Sequence, residues 1–214
     1  ATRAEIDPAL IKQLNQAPQI FEAFGIPVYE KPGYEADDML GTIARETSKR
    51  SDLETIIATG DSDTLQLVNP RVRVFMLRTG ISDTVIYDEE EVKNKYGFGP
   101  EHVIDYKGIV GDTSDNIPGV PGVGAGSASK LIIAYGGLSK IYDAIQTKGV
   151  EAVSKETGVR RNYVQLVAEH KSQALFSKEI ATIHCDLPIG FKLPERHYHM
   201  KEFADGIGKV LEEF

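Results

Sequence analysis

The chain has one cysteine, Cys185, in 214 residues, so no internal disulfide can form. That usage fits a reducing cytoplasm, with Cys185 itself read as a small buried hydrophobe near a strand. No apolar run approaches the roughly 18 residues a spanning helix needs, and the polar N-terminus is no secretory signal. A membrane partner is therefore not expected. There is no internal repeat and no low-complexity tract. There is also no initiator methionine: the chain opens Ala1-Thr2-Arg3, which reads as a fragment or a processed product. Positive charge is scarce, with 24 Lys and Arg against 32 Asp and Glu, a net charge of −8. A basic patch, the usual sign of a nucleic-acid partner, is missing from the bulk numbers.

What is present is an ordinary globular composition, 41% hydrophobic and 26% charged, able to bury a core. The acids are unevenly used. Seven of them, Glu35, Asp37, Asp38, Asp61, Asp63, Asp112 and Asp115, fall in three short clusters. Setting those aside leaves a net charge of −1. If the clusters hold divalent cations, the negative balance marks a metal site and does not veto DNA.

The local patterns place these clusters. Asp7-Pro8 predicts a helix start, followed by an apolar stripe to Gly25 that Pro18 should kink or break. Ile26–Tyr29 reads as a short strand. Glu35 and Asp38 open a helix and share a face of it, with Asp37 pointing elsewhere. Leu53–Gly60 is a β-branched strand, expected to be central and parallel, which delivers Asp61 and Asp63 at its carboxyl end. Thr64–Val68 then starts a helix. Arg71–Leu77 and Asp83–Tyr87 read as a strand pair turning at Thr79-Gly80. The run Glu89-Glu90-Glu91 is a solvated first helical turn. Helices are expected over His102–Val110, Gly137–Thr147 and Val150–Gly158, with long amphipathic material over Arg161–Ile183. In that last stretch Leu166, Val167, Leu175, Phe176 and Ile180 are core candidates. Asp186–Phe191 reads as a strand or extended segment, the segment with His197 and His199 as a loop, and Lys201–Phe214 as a helix broken by Gly206 and Gly208.

The stretch Ile109–Gly124 carries most of the chemistry. Asp112 and Asp115 sit three apart, and a glycine-punctuated hairpin follows at once. Carboxylates collect hard divalent cations, while exposed backbone N–H groups in a Gly-rich turn, and the N-terminus of the next helix, collect phosphates. Gly119, Gly122 and Gly124 permit positive φ and close approach of a ligand.

In this order, Gly33-Tyr34-Glu35-Ala36-Asp37-Asp38, Thr59-Gly60-Asp61-Ser62-Asp63 and Gly111-Asp112-Thr113-Ser114-Asp115-Asn116-Ile117-Pro118-Gly119-Val120 resemble the 5′-nuclease (flap endonuclease) superfamily. The resemblance is to the 5′→3′ exonuclease domain of bacterial DNA polymerases I, and it is most specific from Glu30 to Lys130. It implies an α/β fold: a parallel-sheet PIN/5′-nuclease-like core with a C-terminal helix-hairpin-helix α-helical subdomain. The implied division is residues 1–110 for the C-terminal part of the core, 111–200 for the helix-hairpin-helix subdomain, and 201–214 for the start of a helix toward a following polymerase region.

The resemblance further implies a structure-specific 5′→3′ exonuclease or flap endonuclease of replication and repair. It would hydrolyse DNA by two-metal-ion catalysis, with Mg²⁺ or Mn²⁺ held by Glu35, Asp37, Asp38, Asp61, Asp63, Asp112 and Asp115. The implied partner is DNA with 5′ flaps, nicks or 5′ ends, gripped through Gly119, Gly122, Gly124, Ser127 and Lys130, with K⁺ at the hairpin. A monomer in the bacterial cytoplasm, at the nucleoid, is the corresponding location. The superfamily's earlier metal-binding aspartates, in segments of the type Val-Asp-Gly and Val-Phe-Asp, do not occur upstream of Glu35. Ala1-Thr2-Arg3 resembles the tail of the superfamily's Tyr-Lys-Ala-x-Arg segment, which would make Arg3 a phosphate contact. On this reading the core is incomplete at its N-terminus and the chain by itself is weak or inactive. The alternative is a non-catalytic helix-hairpin-helix DNA-binding module.

Overall fold

The structure is a computed structural model and describes residues 7–79, 83–195 and 197–212; Arg3 and the turn residue Gly80 lie outside them. Ten helices and three strands are assigned among these residues. Helix α1 (Pro8–Ala23) starts as its sequence demands, with the Asp7 carboxylate accepting from the Ala9 N–H at 2.8 Å and Pro8 in the first turn. Helix α2 (Ala36–Ser48) precedes strand β1 (Thr55–Thr59), a 3₁₀ segment over Ser62–Leu67, and the hairpin of β2 (Val72–Thr79) and β3 (Asp83–Tyr87). Helix α3 (Glu89–Tyr96) is capped by Asp88 and stopped by Gly97 in the left-handed region, φ 86°.

The sheet corrects the expectation of a parallel core. β1 pairs with β2 in parallel, Ile57 opposite Val74, but β2 pairs with β3 antiparallel, Val74 opposite Tyr87. The sheet is mixed because the link between β2 and β3 is far too short for a parallel crossover. With the order β1-β2-β3, β1 is also an edge strand among the described residues. Alternation along the strands buries Ile57, Val72, Val74, Met76 and Tyr87 on one face and leaves Ile56, Leu77 and Ile86 exposed on the other.

Most of the remaining helices form one continuous hydrophobic core with the buried face of the sheet. They are α4 (Val103–Val110), α5 (Ala125–Tyr135), α6 (Leu138–Lys148), α7 (Val150–Thr157), α8 (Arg161–Glu169) and α9 (Lys171–Ile180), whereas α10 (Ala204–Glu212) lies outside that core and packs on α1. Helix α4 is the pivot. The buried Asp105 accepts from Lys178 Nζ on α9 at 2.6 Å and from the Leu138 N–H that opens α6 at 2.9 Å. A Cβ built on Gly108 would lie 2.9 Å from the Ala174 carbonyl oxygen, so α4 and α9 approach as closely as backbones allow. Tyr96, Phe98 and Tyr106, with ring centroids 5.3 to 5.6 Å apart, fasten α3 to the other side of α4.

Other local expectations need correction. Ile26–Tyr29 and Asp186–Phe191 form no strand, and the half-buried Cys185 therefore lies in irregular chain. Helix α1 runs unbroken through Pro18, and α10 runs through Gly206 and Gly208. Gly206 faces α1 closely: a Cβ there would touch the Ala23 carbonyl oxygen at 3.5 Å. The material over 161–183 is two helices hinged at His170. Leu175, Phe176 and Ile180 are 42, 55 and 51% exposed and do not belong to the core. The tight seam on Gly108 selects small residues, so α9 buries Ala174 and Ser177 and turns its large side chains outward.

Candidate metal centre and the hairpin beside it

Beyond β1 the chain turns through Asp61, whose backbone N–H donates to Thr59 Oγ1 at 3.0 Å. Asp61 then caps the 3₁₀ segment, its Oδ1 accepting from the Asp63 N–H at 2.9 Å. The segment is anchored from the far end of the chain by Gln66. Its Nε2 donates to the carbonyls of Asp63 (3.0 Å) and Ala181 (2.9 Å), and its Oε1 accepts from the Ile183 N–H at 3.0 Å. Asp63 is thereby aimed at the end of α4.

There α4 stops at Gly111, φ 75°, and the next six residues form a small closed loop. Asp112 and Ile117 exchange two backbone hydrogen bonds of 2.8 and 2.7 Å, and Asn116 adopts the left-handed region, φ 58°. Such a conformation is one that Asn tolerates better than most residues. The Asp112 carboxylate is oriented by Ser114, whose N–H donates to Oδ1 at 2.9 Å and whose hydroxyl donates to the same oxygen.

The outcome is a cluster. Asp63, Asp112 and Asp115 each offer an oxygen within 4.8 Å of the others, the first two half-buried and the third exposed. Three carboxylate oxygens at that spacing, with open solvent for remaining ligands, are the hard donor set that Mg²⁺ or Mn²⁺ takes. Lys107 on α4, its side chain 7% exposed, pairs with Asp63 and, at 3.0 Å, with Asp112. Burial by itself would push Asp112 up, but the hydrogen bonds from Ser114 and Lys107 hold it below the usual carboxylate value.

The acids of α2 line the same region. Glu35, Asp37, Asp38 and Asp63 border one open cavity of about 400 Å³. The Asp37 carboxyl is pushed up to about 6, first by burial and then by the charges of Asp61, Glu35 and Asp38, with Lys107 opposing. Asp37, expected to point away, therefore lies in the common negative field. Asp38, 8% exposed, is turned back into the protein. Its two oxygens accept the N–H groups of His184 (2.8 Å) and Glu35 (3.2 Å). The three-carboxylate group does not include Glu35, Asp37, Asp38 or Asp61.

Six residues after Asp112 the chain enters the hairpin. Gly119 is buried, with φ 59°; its N–H donates to Ser177 Oγ at 3.0 Å and its carbonyl accepts from Gln173 Nε2 at 2.8 Å. Its backbone is spent on α9. Gly122 (φ 80°) and Gly124 are exposed instead, and Gly124 opens α5 without any side-chain cap. Ser127 is half-buried in the first turn of α5 and Lys130 is exposed one turn further on.

Sequence reasoning overlooked Lys107, Gln66, Gln173 and Ser177. Only Lys107 left a usable signal: a lysine in a short apolar helix, five residues before Asp112, needs a buried counter-charge.

Comparison with known proteins agrees with this geometry. Two family profiles divide the chain: "5'-3' exonuclease, N-terminal resolvase-like domain" matches residues 1–97, and "5'-3' exonuclease, C-terminal SAM fold" matches residues 98–204. DNA polymerase I of Bacillus subtilis (strain 168) is 41% identical over 187 residues, 87% of this chain and 20% of that protein. A 5'-3' exonuclease of Halalkalibacterium halodurans is 35% identical over 187 residues, 87% of this chain and 58% of that one. The chain thus spans about a fifth of the length of the DNA polymerases I it matches. Among solved structures, T5 5'-exonuclease with bound zinc superposes with a TM-score of 0.68 at 22% identity, covering 99% of this chain and 70% of that one. That likeness establishes the fold.

Proposed function

The chain belongs to the 5'-3' exonuclease family, and from that premise we propose that it hydrolyses DNA phosphodiesters near 5′ ends and flaps, in replication and repair. The observation that carries the reading is the loop 111–124, which joins the carboxylate cluster of Asp63, Asp112 and Asp115 to an uncapped hairpin and helix N-terminus. On this reading the cutting site, through Asp112 and Asp115, shares one continuous piece of chain with the duplex grip, and Asp63 joins it from the 3₁₀ segment. We keep the corresponding division: residues 1–110 as core, 111–200 as helix-hairpin-helix subdomain, and 201–214 as a separate helical segment.

Asp63, Asp112 and Asp115 would hold one Mg²⁺ or Mn²⁺, and Glu35, Asp37 and Asp61 would complete a second position. Bound divalent ions supply charge neutralisation at the phosphodiester and activation of water. The chain's own residues do the positioning. Gln66 and Asp61 fix the backbone that carries Asp63, and Ser114 fixes the Asp112 carboxylate. Asp38 acts through Glu35 and His184, whose N–H groups it holds. Gly122, Gly124, Ser127 and Lys130 would meet the duplex backbone, which fits recognition of structure over base sequence. K⁺ at the hairpin carbonyls, a 5′ flap or nick as substrate, a monomeric state and a bacterial nucleoid setting complete the proposal; the relatives being bacterial supports the bacterial part of that setting alone.

The test is cleavage of a labelled 5′-flap duplex in Mg²⁺. Asp63→Asn and Asp112→Asn should each lower the rate by about 100-fold, the scale on which a disturbed metal centre shows. Cleavage that survives both substitutions would sink the nuclease reading. Because the chain by itself is expected to be weak or inactive, the same assay is run on a version extended at the N-terminus, and a flap duplex that the extended protein binds but never cuts would favour the non-catalytic helix-hairpin-helix module.

A further inference from the structure

A buried cation faces the carboxylate cluster from inside the protein. Lys107 pairs with Asp63 and Asp112, two of the three residues whose oxygens converge. Its place is fixed by α4, which is held by Asp105 to Lys178 and Leu138 and by Gly108 against α9. The ammonium is therefore delivered to one point, and with its side chain 7% exposed it has little water to fall back on. A buried ammonium is tolerated only when paired, and here its partners are the oxygens a divalent ion would need.

Resting on the metal-centre reading above, we propose that Lys107 is a resident counter-cation that competes with the divalent ion for Asp63 and Asp112 and so sets the ion concentration at which the centre fills. Two consequences are opposite in sign. Without the ammonium, the carboxylates repel one another and the protein loses stability. The same change leaves the cluster more negative by one charge, so a divalent ion binds it more tightly. A unit charge a few ångströms from the ion, in surroundings of reduced dielectric, is worth about tenfold in affinity or more. A purely structural lysine predicts the reverse, since loosening the site weakens every ligand.

The experiment is Mn²⁺ titration by calorimetry on the 214-residue chain, without DNA, for wild type and for Lys107→Met, Lys107→Gln, Lys107→Arg and Asp112→Asn. Lys107→Met and Lys107→Gln should bind Mn²⁺ about tenfold more tightly than wild type, while melting at lower temperature in chelator. Lys107→Arg, which keeps the charge, should stay near wild type. If Lys107→Met does not fold, the more polar Lys107→Gln carries the test. Equal or weaker binding in the neutral variants, with Asp112→Asn still abolishing it, overturns the role of Lys107 alone. Mn²⁺ binding that is absent from wild type, or intact in Asp112→Asn, removes the metal centre itself.

Discussion

Asp37 and Asp38, neighbours on α2, do opposite things with their charge. Asp38 accepts two backbone N–H groups, one of them from His184, 146 residues away. Asp37 sits among like charges, partly desolvated, with its carboxyl pushed up to about 6 from 3.8. Unfolded, Asp37 ionises near the lower value; folded, near the upper. Its contribution to stability is therefore present in full below 3.8 and is lost as pH rises through about 6. A shift of that size in a sealed site would cost roughly 3 kcal/mol, but Asp37 is half-exposed and screening reduces this to about 1 kcal/mol. Asp37→Asn cannot suffer that loss. In chelator, its melting temperature relative to wild type should climb by about 2 to 4 °C between pH 4 and pH 7. A difference that stays flat across that range would contradict the assignment. The sequence made the Glu-x-Asp-Asp spacing legible, and with it the presence of a carboxylate group. It could not say which acid turns inward, because the deciding partner, the N–H of His184, comes from the other end of the chain.

The decisive element is the joint of residues 111–124. Its glycines look alike in sequence and differ in the fold. Gly111 and Gly119 lie against each other: a Cβ on Gly119, at φ 59°, would meet the Gly111 nitrogen at 2.3 Å and the Val110 carbonyl carbon at 2.5 Å. Both are backbone atoms that cannot swing aside. Gly126, in the first turn of α5, has ordinary φ and nothing within 4 Å of a built Cβ. Gly119→Ala should therefore destabilise by about 3 kcal/mol or more, combining left-handed strain with overpacking. Gly126→Ala should stabilise by about 0.5 kcal/mol, through lower entropy of the unfolded chain. Urea melts of the two variants check this, and a Gly119→Ala protein as stable as wild type would mean the seam is not as closed as described. Periodicity located α4, α6 and α7 within a few residues, since helical stripes are local, but did not divide α8 from α9. It misjudged α9, where Leu175, Phe176 and Ile180 face outward because the seam on Gly108 admits only small side chains.

At the scale of the whole molecule the net charge of −8 is misleading, because it is not spread evenly. Residues 1–110 hold 12 Lys and Arg against 19 Asp and Glu, whereas residues 111–200 hold 10 against 9. Two of those nine, Asp112 and Asp115, belong to the carboxylate cluster or its loop, so the rest of the helical part is mildly basic. The mixed sheet could not be read in the same way, since strand direction depends on which segments pair and not on composition. Charge distribution can be, and it bears on DNA directly: a duplex backbone is held by local cations, each releasing counterions as it neutralises a phosphate. Lys130, exposed one turn into the uncapped helix α5, is the cation closest in sequence to the hairpin glycines. If the hairpin grips the backbone, Lys130→Ala should weaken binding of a duplex about equally for unrelated sequences. It should also flatten the plot of log affinity against log salt by about one unit. The measurement is a fluorescence-anisotropy salt titration in Ca²⁺ with two duplexes of different sequence. An unchanged slope would remove Lys130 from the contact surface, and a loss confined to one sequence would mean the hairpin reads bases, contrary to a grip on the backbone alone.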